Sequence, residues 1–385
     1  MKIILSGGGT LGSVSPLIAI YEELKKRHGA VGEDTNSQHL RQPALEFLWL
    51  GTKTGPEKKL VESYGIEFRP ILAVKWRRYF SWRNLLDIIL LPAAMAQAFW
   101  VLVRLIRPVG QPQSFDGVKE TNRQQVVILS AGGFVSVPLV WAGLLLRVPS
   151  IIHQQDVRPG LANILMAPAA KIITVTFAKS AKRFPAKKTV VVGNPVRADI
   201  LKGDKNQAVK LFHLKIDVPT LLVLGGGTGA LAINELLLKA LPELVKFCQI
   251  IHQTGRAKTE KTAKHDCYHP YEFITDNLKH AFAAADLVIT RAGMSTLSEL
   301  AALKKPTIII PIPNSHQVDN AVEFEKNNAA VVLEQNNLDA SRLAQAVKSI
   351  LSDSAQLQNL SRNIGKILPP DAAQQILKII LNSSF

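Results

Sequence analysis

Two short apolar runs in this chain, KIIL at residues 2–5 and TLLVL at 220–224, each lead straight into a glycine-rich turn and then into helix-forming sequence. Nothing else in the chain restricts its fold as much. Glycine lets backbone N–H groups approach a phosphate closely, and the N-terminus of the following helix carries a partial positive charge, so each unit is a diphosphate-binding device. Short apolar stretches alternate with helix-length segments around both: 46–50, 126–129, 149–152 and 171–176 after the first, then 249–252, 271–274, 286–290, 306–310 and 330–333 after the second. The alternation predicts an α/β fold in which two doubly wound parallel sheets are each covered on both faces. Two Rossmann-like domains facing one another across a cleft are expected.

The 385 residues suit two domains. Gly193-Asn194-Pro195-Val196-Arg197 lies between the two series, where glycine and proline end a strand and turn the chain. The predicted domains are 1–197 and 198–369. Pro369-Pro370 then interrupts the chain, and 370–385, with an amphipathic stretch at 372–381, is expected to return as a helix to the first domain. Segments 29–42 and 109–125 read as surface insertions without a chemical motif.

With only Cys248 and Cys267, a disulfide framework or four-ligand zinc site is not expected, and a reducing compartment fits best. The net charge of +16 favours anionic partners without choosing among them. MKIILSGGGT lacks the long apolar region of an export signal and reads as a first strand, so the chain is not expected to be exported. The most apolar stretch, 88–103, is flanked by Asp87 and Arg104 and falls short of the roughly 20 residues of a spanning helix. It is expected to pack inside the first domain.

The first turn reads Gly7-Gly8-Gly9-Thr10-Leu11-Gly12-Ser13 and the second Gly225-Gly226-Gly227-Thr228-Gly229-Ala230. Two such turns suit one phosphate-bearing ligand per domain better than one dinucleotide on a single fold. The acidic residue a dinucleotide ribose would need is missing, because Lys25 to Arg27 is basic and the next strand ends in Gly51-Thr52. The most informative segment runs from Asp286 to Glu299, a strand, a turn with Gly293 and the hydroxyls of Ser295, Thr296 and Ser298, then a carboxylate early in a helix. Hydroxyls and N–H groups there suit a diphosphate, and Glu299 suits paired ribose hydroxyls. An ordinary capped helix would explain the hydroxyls but not the whole run.

GGGTLGSVSP at 7–16, SAGGFVSVP at 130–138, HQQDVRPGLAN at 153–163, GNPVR at 193–197, GGGTGALAIN at 225–234, IHQTGR at 251–256, and RAGMSTLSELAALKKPTIIIPIP with HQVDNA within 291–321 resemble, in the same order, the MurG family of GT-B glycosyltransferases. The resemblance covers nearly the whole chain. It implies metal-independent, cofactor-free, inverting transfer of N-acetylglucosamine from UDP-N-acetylglucosamine to undecaprenyl-diphosphate-linked muramyl-pentapeptide. The enzyme would be peripheral, on the cytoplasmic face of the cell membrane. Donor contacts fall on Thr10, Leu11, Gly12, Asp156, Arg197, Gly227, Ile274, Met294, Ser295, Thr296, Leu297, Ser298, Glu299 and Gln317. Ile274 would meet uracil through its backbone and Gln317 the sugar hydroxyls, while Gly8, Gly9, Thr10 and Gly12 would line the acceptor diphosphate.

Three departures bear on mechanism. Ser13 stands where the family has His, and a hydroxyl cannot take a proton near neutral pH as an imidazole does. Gln154-Gln155-Asp156 replaces Glu-Gln-Asn, and the second turn has Gly-Gly-Gly-Thr-Gly for Gly-Gly-Ser-Gln-Gly. Ser13 and Asp156 are therefore the candidate catalytic residues, Asp156 as a relocated base.

Trp76, Arg77, Arg78, Tyr79, Phe80, Trp82 and Arg83 mix aromatic and basic residues as an anionic membrane surface requires, and without an RNA-binding motif elsewhere no nucleic acid partner is expected. His153 reads as a structural histidine, and His265 to His269 as a polar loop rather than a metal site. Two other readings stay open: a GT-B transferase acting on another glycolipid such as diacylglycerol, and a sugar-nucleotide-binding scaffold that lost catalysis at Ser13.

Overall fold

The computed structural model describes residues 1–9, 11–32, 45–73, 82–106, 125–225, 230–255 and 264–382, the side chains of Leu11, 28–32 and 82–88 excepted. The chain divides into two units, Met1–Gln155 with Pro159–Val192 and Ala373–Phe385, and Asp156–Arg158 with Gly193–Ala372. The division after Val192 falls five residues before the position read from the sequence. Three residues, Asp156–Arg158, leave the first unit and belong to the second.

The first unit holds a seven-stranded parallel sheet of β1 (Lys2–Ser6), β2 (Glu46–Gly51), β3 (Glu67–Pro70), β4 (Val126–Ser130), β5 (Ser150–Gln154), β6 (Ile172–Val175) and β7 (Thr189–Val191), in the order β3-β2-β1-β4-β5-β6-β7. The second holds six parallel strands, β8 (Thr220–Leu224), β9 (Gln249–Gln253), β10 (Tyr268–Tyr271), β11 (Leu287–Thr290), β12 (Thr307–Ile309) and β13 (Val331–Val332), ordered β10-β9-β8-β11-β12-β13. β1, β4, β5, β8 and β9 are buried almost throughout because helices cover both their faces. Strands β3 and β7, absent from the sequence reading, are edge strands: EFRP carries a proline and charges, and TVV has only three residues. β10 lies three residues earlier than expected.

The first unit's helices are α1 (Ser15–Gly32), α2 (Glu57–Ser63), α3 (Trp82–Ile106), α4 (Ser136–Leu145), α5 (Leu161–Met166) and α6 (Ala178–Ala181). The second has α7 (Lys205–Leu211), α8 (Leu231–Leu244), α9 (Leu278–Ala284), α10 (Met294–Ala302), α11 (His316–Lys326), α12 (Ala340–Ser352) and α13 (Ser354–Ile364). The last helix, α14 (Ala372–Asn382), buries Ile376, Leu377 and Ile380 in the first unit, in the same core as Ile3, Leu5, Leu17 and Trp49. Its apolar residues recur at helical spacing, so one stripe meets the core.

Helix α3 departs from expectation twice. It extends to 25 residues, and Ile89–Ile106 is long and apolar enough to cross a membrane by length and composition. Only one stripe packs inward: Ala98, Leu102 and Leu105 join the core of β4, α4 and α5, whereas Ile89 is 66% and Trp100 58% exposed. The expected burial inside the domain is thus limited to one face. Residues 33–42 of the first predicted insertion, and 109–124 of the second, lie outside the described residues.

Removing the Leu377 side chain by Leu377→Ala should destabilise the first unit by about 2–5 kcal/mol, the range for a buried leucine cut to alanine. Calorimetric unfolding should show that loss in one transition and leave the other unmoved; an unchanged scan would detach α14 from the core.

Candidate active site

In each sheet the strand order reverses once, beside β1 and beside β8, and an open α/β sheet presents its ligand crevice at the carboxyl ends of the strands flanking such a point. In the first unit those ends carry the Gly7–Gly9 turn after β1 and the Ala131–Gly133 turn after β4. The turns touch backbone to backbone: Gly133 has φ +95°, and a Cβ there would stand 2.9 Å from the Gly8 carbonyl oxygen. Only glycine permits both that angle and that approach. Ser6 Oγ and Ser136 Oγ, 2.9 Å apart, tie β1 to the start of α4 behind them. Leu11–Ser13 forms a 3-10 turn before α1, and Ser13 is nearly buried, its Oγ beneath Gly7.

In the second unit the site gathers around the N-terminus of α10, which follows β11 at the reversal. Met294 and Leu297 to Glu299 are buried, Ser295 and Thr296 half-buried. The first turn of a helix leaves N–H groups without intrahelical partners and concentrates positive potential, an anion-binding arrangement. Two neighbouring contacts bolt the Gly193–Arg197 segment onto this helix. Asn194 Nδ2 donates to Ser298 Oγ at 2.8 Å, and Ser298 Oγ donates to the Met294 carbonyl at 2.7 Å. Arg197 donates from Nη2 at 2.7 Å and from Nε at 3.2 Å to Glu299 Oε1. Burial raises the Glu299 carboxyl above the usual carboxylate range, and the Arg197 guanidinium opposes the shift. The resemblance names both residues among the donor contacts, and the structure joins them as one ion pair.

Asp156 is held by three contacts from its segment to α11. Asn320, fully buried, donates from Nδ2 to Asp156 Oδ1 at 2.8 Å and to the Ala292 carbonyl at 3.0 Å. Its Oδ1 accepts from the Val157 amide at 2.9 Å, and Arg158 Nε pairs with Asp319 Oδ2 at 3.1 Å. The candidate base therefore stands beside the turn into α10 within the second unit. Asn320 was not singled out from the sequence, although HQVDNA contains it.

Gln253, at the end of β9, accepts the Ile274 amide at its Oε1, 3.1 Å away. That bond occupies the Ile274 N–H. Behind it the ring of His252 lies between the Tyr268 hydroxyl, 2.8 Å from Nδ1, and Asn234 Oδ1, 3.1 Å from Nε2; burial lowers His252 to about 4 and keeps the ring neutral. Gln317 accepts the Ile312 amide at 3.2 Å in the first turn of α11. Buried Arg291 holds the same turn from below by donating to the carbonyls of Ile310 and Pro311.

Thr10, Gly227 and Trp76 to Phe80 lie outside the described residues; Trp82 and Arg83 open α3. His153 is buried and paired with Thr174 Oγ1 at 3.0 Å. The His265 ring accepts the Cys267 amide in a tight turn, and no cluster of three or more His, Cys, Asp or Glu that could hold a metal occurs among the described residues.

Two parallel-sheet units, each with its ligand-facing turn at a strand-order reversal, and a buried hydroxyl and carboxylate with a half-buried arginine at a helix N-terminus define a nucleotide-sugar type of α/β transferase. The chain belongs to glycosyltransferase family 28: the family's N-terminal domain matches residues 3–105 and 106–175, and its C-terminal domain matches 220–376. It is 33% identical over 384 residues, 98% of either chain, to the UDP-N-acetylglucosamine–N-acetylmuramyl-(pentapeptide) pyrophosphoryl-undecaprenol N-acetylglucosamine transferase of Lachnoclostridium phytofermentans. The crystal structure of MurG from Acinetobacter baumannii shares the fold, with a TM-score of 0.69 at 24% identity and 99% of each chain covered. A putative UDP-N-acetylglucosamine 2-epimerase from Listeria monocytogenes shares it at 12% identity, with a TM-score of 0.68 over 100% of this chain and 97% of that one. The protein is a GT-B glycosyltransferase.

Arg197→Gln leaves the Glu299 carboxyl buried without its cation, so its proton affinity rises further. A carboxyl whose folded pKa exceeds its unfolded value weakens folding above the unfolded pKa and not below it. The variant should lose about 3 kcal/mol at neutral pH, the lower end for a broken buried pair because the Arg197 side chain is 19% exposed. Urea unfolding at falling pH should show the loss shrinking as Glu299 takes up a proton; a loss independent of pH would rule out the carboxyl as its source.

Proposed function

We propose that the chain is an inverting transferase that moves N-acetylglucosamine from UDP-N-acetylglucosamine to the 4-hydroxyl of undecaprenyl-diphosphate-linked N-acetylmuramyl-pentapeptide. The observation that carries this reading is the full-length similarity to the Lachnoclostridium transferase, whose name states that donor and that acceptor. The acceptor oxygen attacks the anomeric carbon as the bond from that carbon to the diphosphate breaks, and UDP departs with the bonding pair. The N-terminus of α10 and Arg197 meet the charge that develops on the diphosphate, a task for oriented dipoles and a fixed cation. Glu299, steadied by Arg197, accepts from the ribose hydroxyls, and the Ile274 carbonyl accepts from uracil. The attacking hydroxyl loses its proton to Asp156, whose carboxyl Asn320 orients.

The acceptor places the reaction at the cytoplasmic face of a membrane, and the first unit offers an apolar surface for docking there. Beside the exposed residues of α3, Leu144 and Leu145 on α4 and Ile164 and Leu165 on α5 are also exposed, in helices that pack in series. With a net charge of +16, such a surface favours an anionic bilayer. Replacing Ile89, Leu90 and Trp100 together by Gln should weaken binding to anionic vesicles while UDP affinity stays the same; undiminished vesicle binding would remove α3 from the contact.

Turnover of UDP-N-acetylglucosamine with a soluble lipid-diphosphate muramyl acceptor tests the reaction itself, and its absence beside transfer to diacylglycerol would assign the second acceptor class. Ser13→His should raise kcat, since a positioned general base is worth typically 10²–10⁴-fold. Asp156→Asn should depress kcat strongly in the natural protein and much less beside Ser13→His, the non-additivity of groups that share one function. Purely multiplicative effects across the four proteins would sink the relocated base.

A further inference from the structure

One acidic side chain has no part in that chemistry and yet sits directly under the loop assigned to the acceptor. Glu57, in the first turn of α2, is completely buried. Its Oε1 accepts from the Thr52 amide at 2.9 Å and from the Thr52 hydroxyl, and its Oε2 accepts from the Gly9 amide at 3.3 Å. All three donors are neutral, and they come from two different turns: Gly9 from the turn after β1, Thr52 from the turn after β2. The carboxyl fills the space next to both glycines of its surroundings, because a Cβ at Gly8 would collide with Oε1 and one at Gly55 with Oε2. Gly133 also packs closely against the Gly8 backbone. Gly8 thus has both a carboxyl and a neighbouring glycine turn against it.

A buried carboxyl needs its hydrogen bonds, since an unsatisfied one is expensive to leave in the interior. The bond from Gly9 therefore fixes which way that amide faces: into the protein, away from any ligand over the loop. We propose that Glu57 is a positioning residue for the acceptor, which sets the Gly7–Gly9 turn in its working conformation by drawing the Gly9 amide inward and locking the turn to Thr52. Gly9 then shapes the acceptor diphosphate site without donating to the diphosphate, and that contact passes to the other amides of the loop. The assignment rests on the acceptor reading above. It also gives a packing reason for glycine at Gly8 and Gly55: a Cβ at either would collide with the carboxyl.

Glu57→Gln puts an amide NH2 where an acceptor is needed, and Thr52→Val removes one donor without changing shape. Hydrogen exchange at the Gly9 and Thr52 amides should quicken in Glu57→Gln. The kcat/KM for the lipid-diphosphate acceptor should fall on the order of 100-fold, as small misplacements of substrate-positioning groups do. UDP affinity by calorimetry should stay unchanged, because Arg197, Ile274 and Glu299, the groups assigned to the diphosphate, uracil and ribose, lie on the second unit. Thr52→Val should move exchange and acceptor kinetics in the same direction by less, and it serves if Glu57→Gln fails to fold. Gly8→Ala should be damaging in the natural protein and much less so beside Glu57→Ala, where the collision is gone. Unchanged exchange at Gly9 would overturn the proposal whatever the acceptor proves to be, and so would quickened exchange with intact acceptor kinetics or an equal loss of UDP affinity. Failure of the unaltered protein to use the acceptor would instead count against the reaction assigned above.

Discussion

Placing β1 between β2 and β4, and β8 between β9 and β11, is the constraint on which the rest of the molecule depends. Each central strand is paired on both edges and covered on both faces, so its sequence must be apolar and its continuation must leave the sheet at the carboxyl end. There the neighbouring connections diverge to opposite sides and a crevice opens between them. The Gly7–Gly9 turn, the α10 N-terminus and the Asp156 segment each follow the carboxyl end of a strand, β1, β11 and β5 in turn. The chemistry is therefore set by topology first and by side chains second.

Much of this could be read from the chain. Apolar runs of four to six residues marked the buried strands, because complete burial erases the polar alternation of a half-exposed strand. The edge strands β3 and β7 escaped, since an edge has no such demand and can carry proline, charge or only three residues. α3 was misjudged for a related reason: the charges at Asp87 and Arg104 looked like ends, but a helix continues through charges that can reach water. The segment after Val192 is joined to α10, and Asp156–Arg158 to α11, by side-chain contacts that no local pattern announces.

Of the candidate site, the residues with a role written in local sequence were visible: glycines before a helix, hydroxyls at its first turn, a carboxylate one turn on. Partnerships were not. Arg197 and Glu299 lie 102 positions apart and Asn320 is 164 from Asp156, so the pairs exist only once distant segments of the second unit have come together. Glu57 left no trace in the reading because it stands in a polar, charged stretch that resembles an exposed helix start. Its burial follows from the glycines around it. Supporting residues of this kind are the hardest to foresee, since what identifies them is the space they fill.

Helix α14 has a consequence for how the chain is made. The first unit is encoded at the start of the chain, but three of its core residues, Ile376, Leu377 and Ile380, come after the whole of the second. During synthesis the nascent first unit waits with part of its interior open until residues 376–380 have been made, while the second unit can complete its own sheet first. The order of completion is the reverse of the order of translation, and the unfinished apolar face around Ile3, Leu5 and Leu17 is the surface a chaperone would have to shield in that interval.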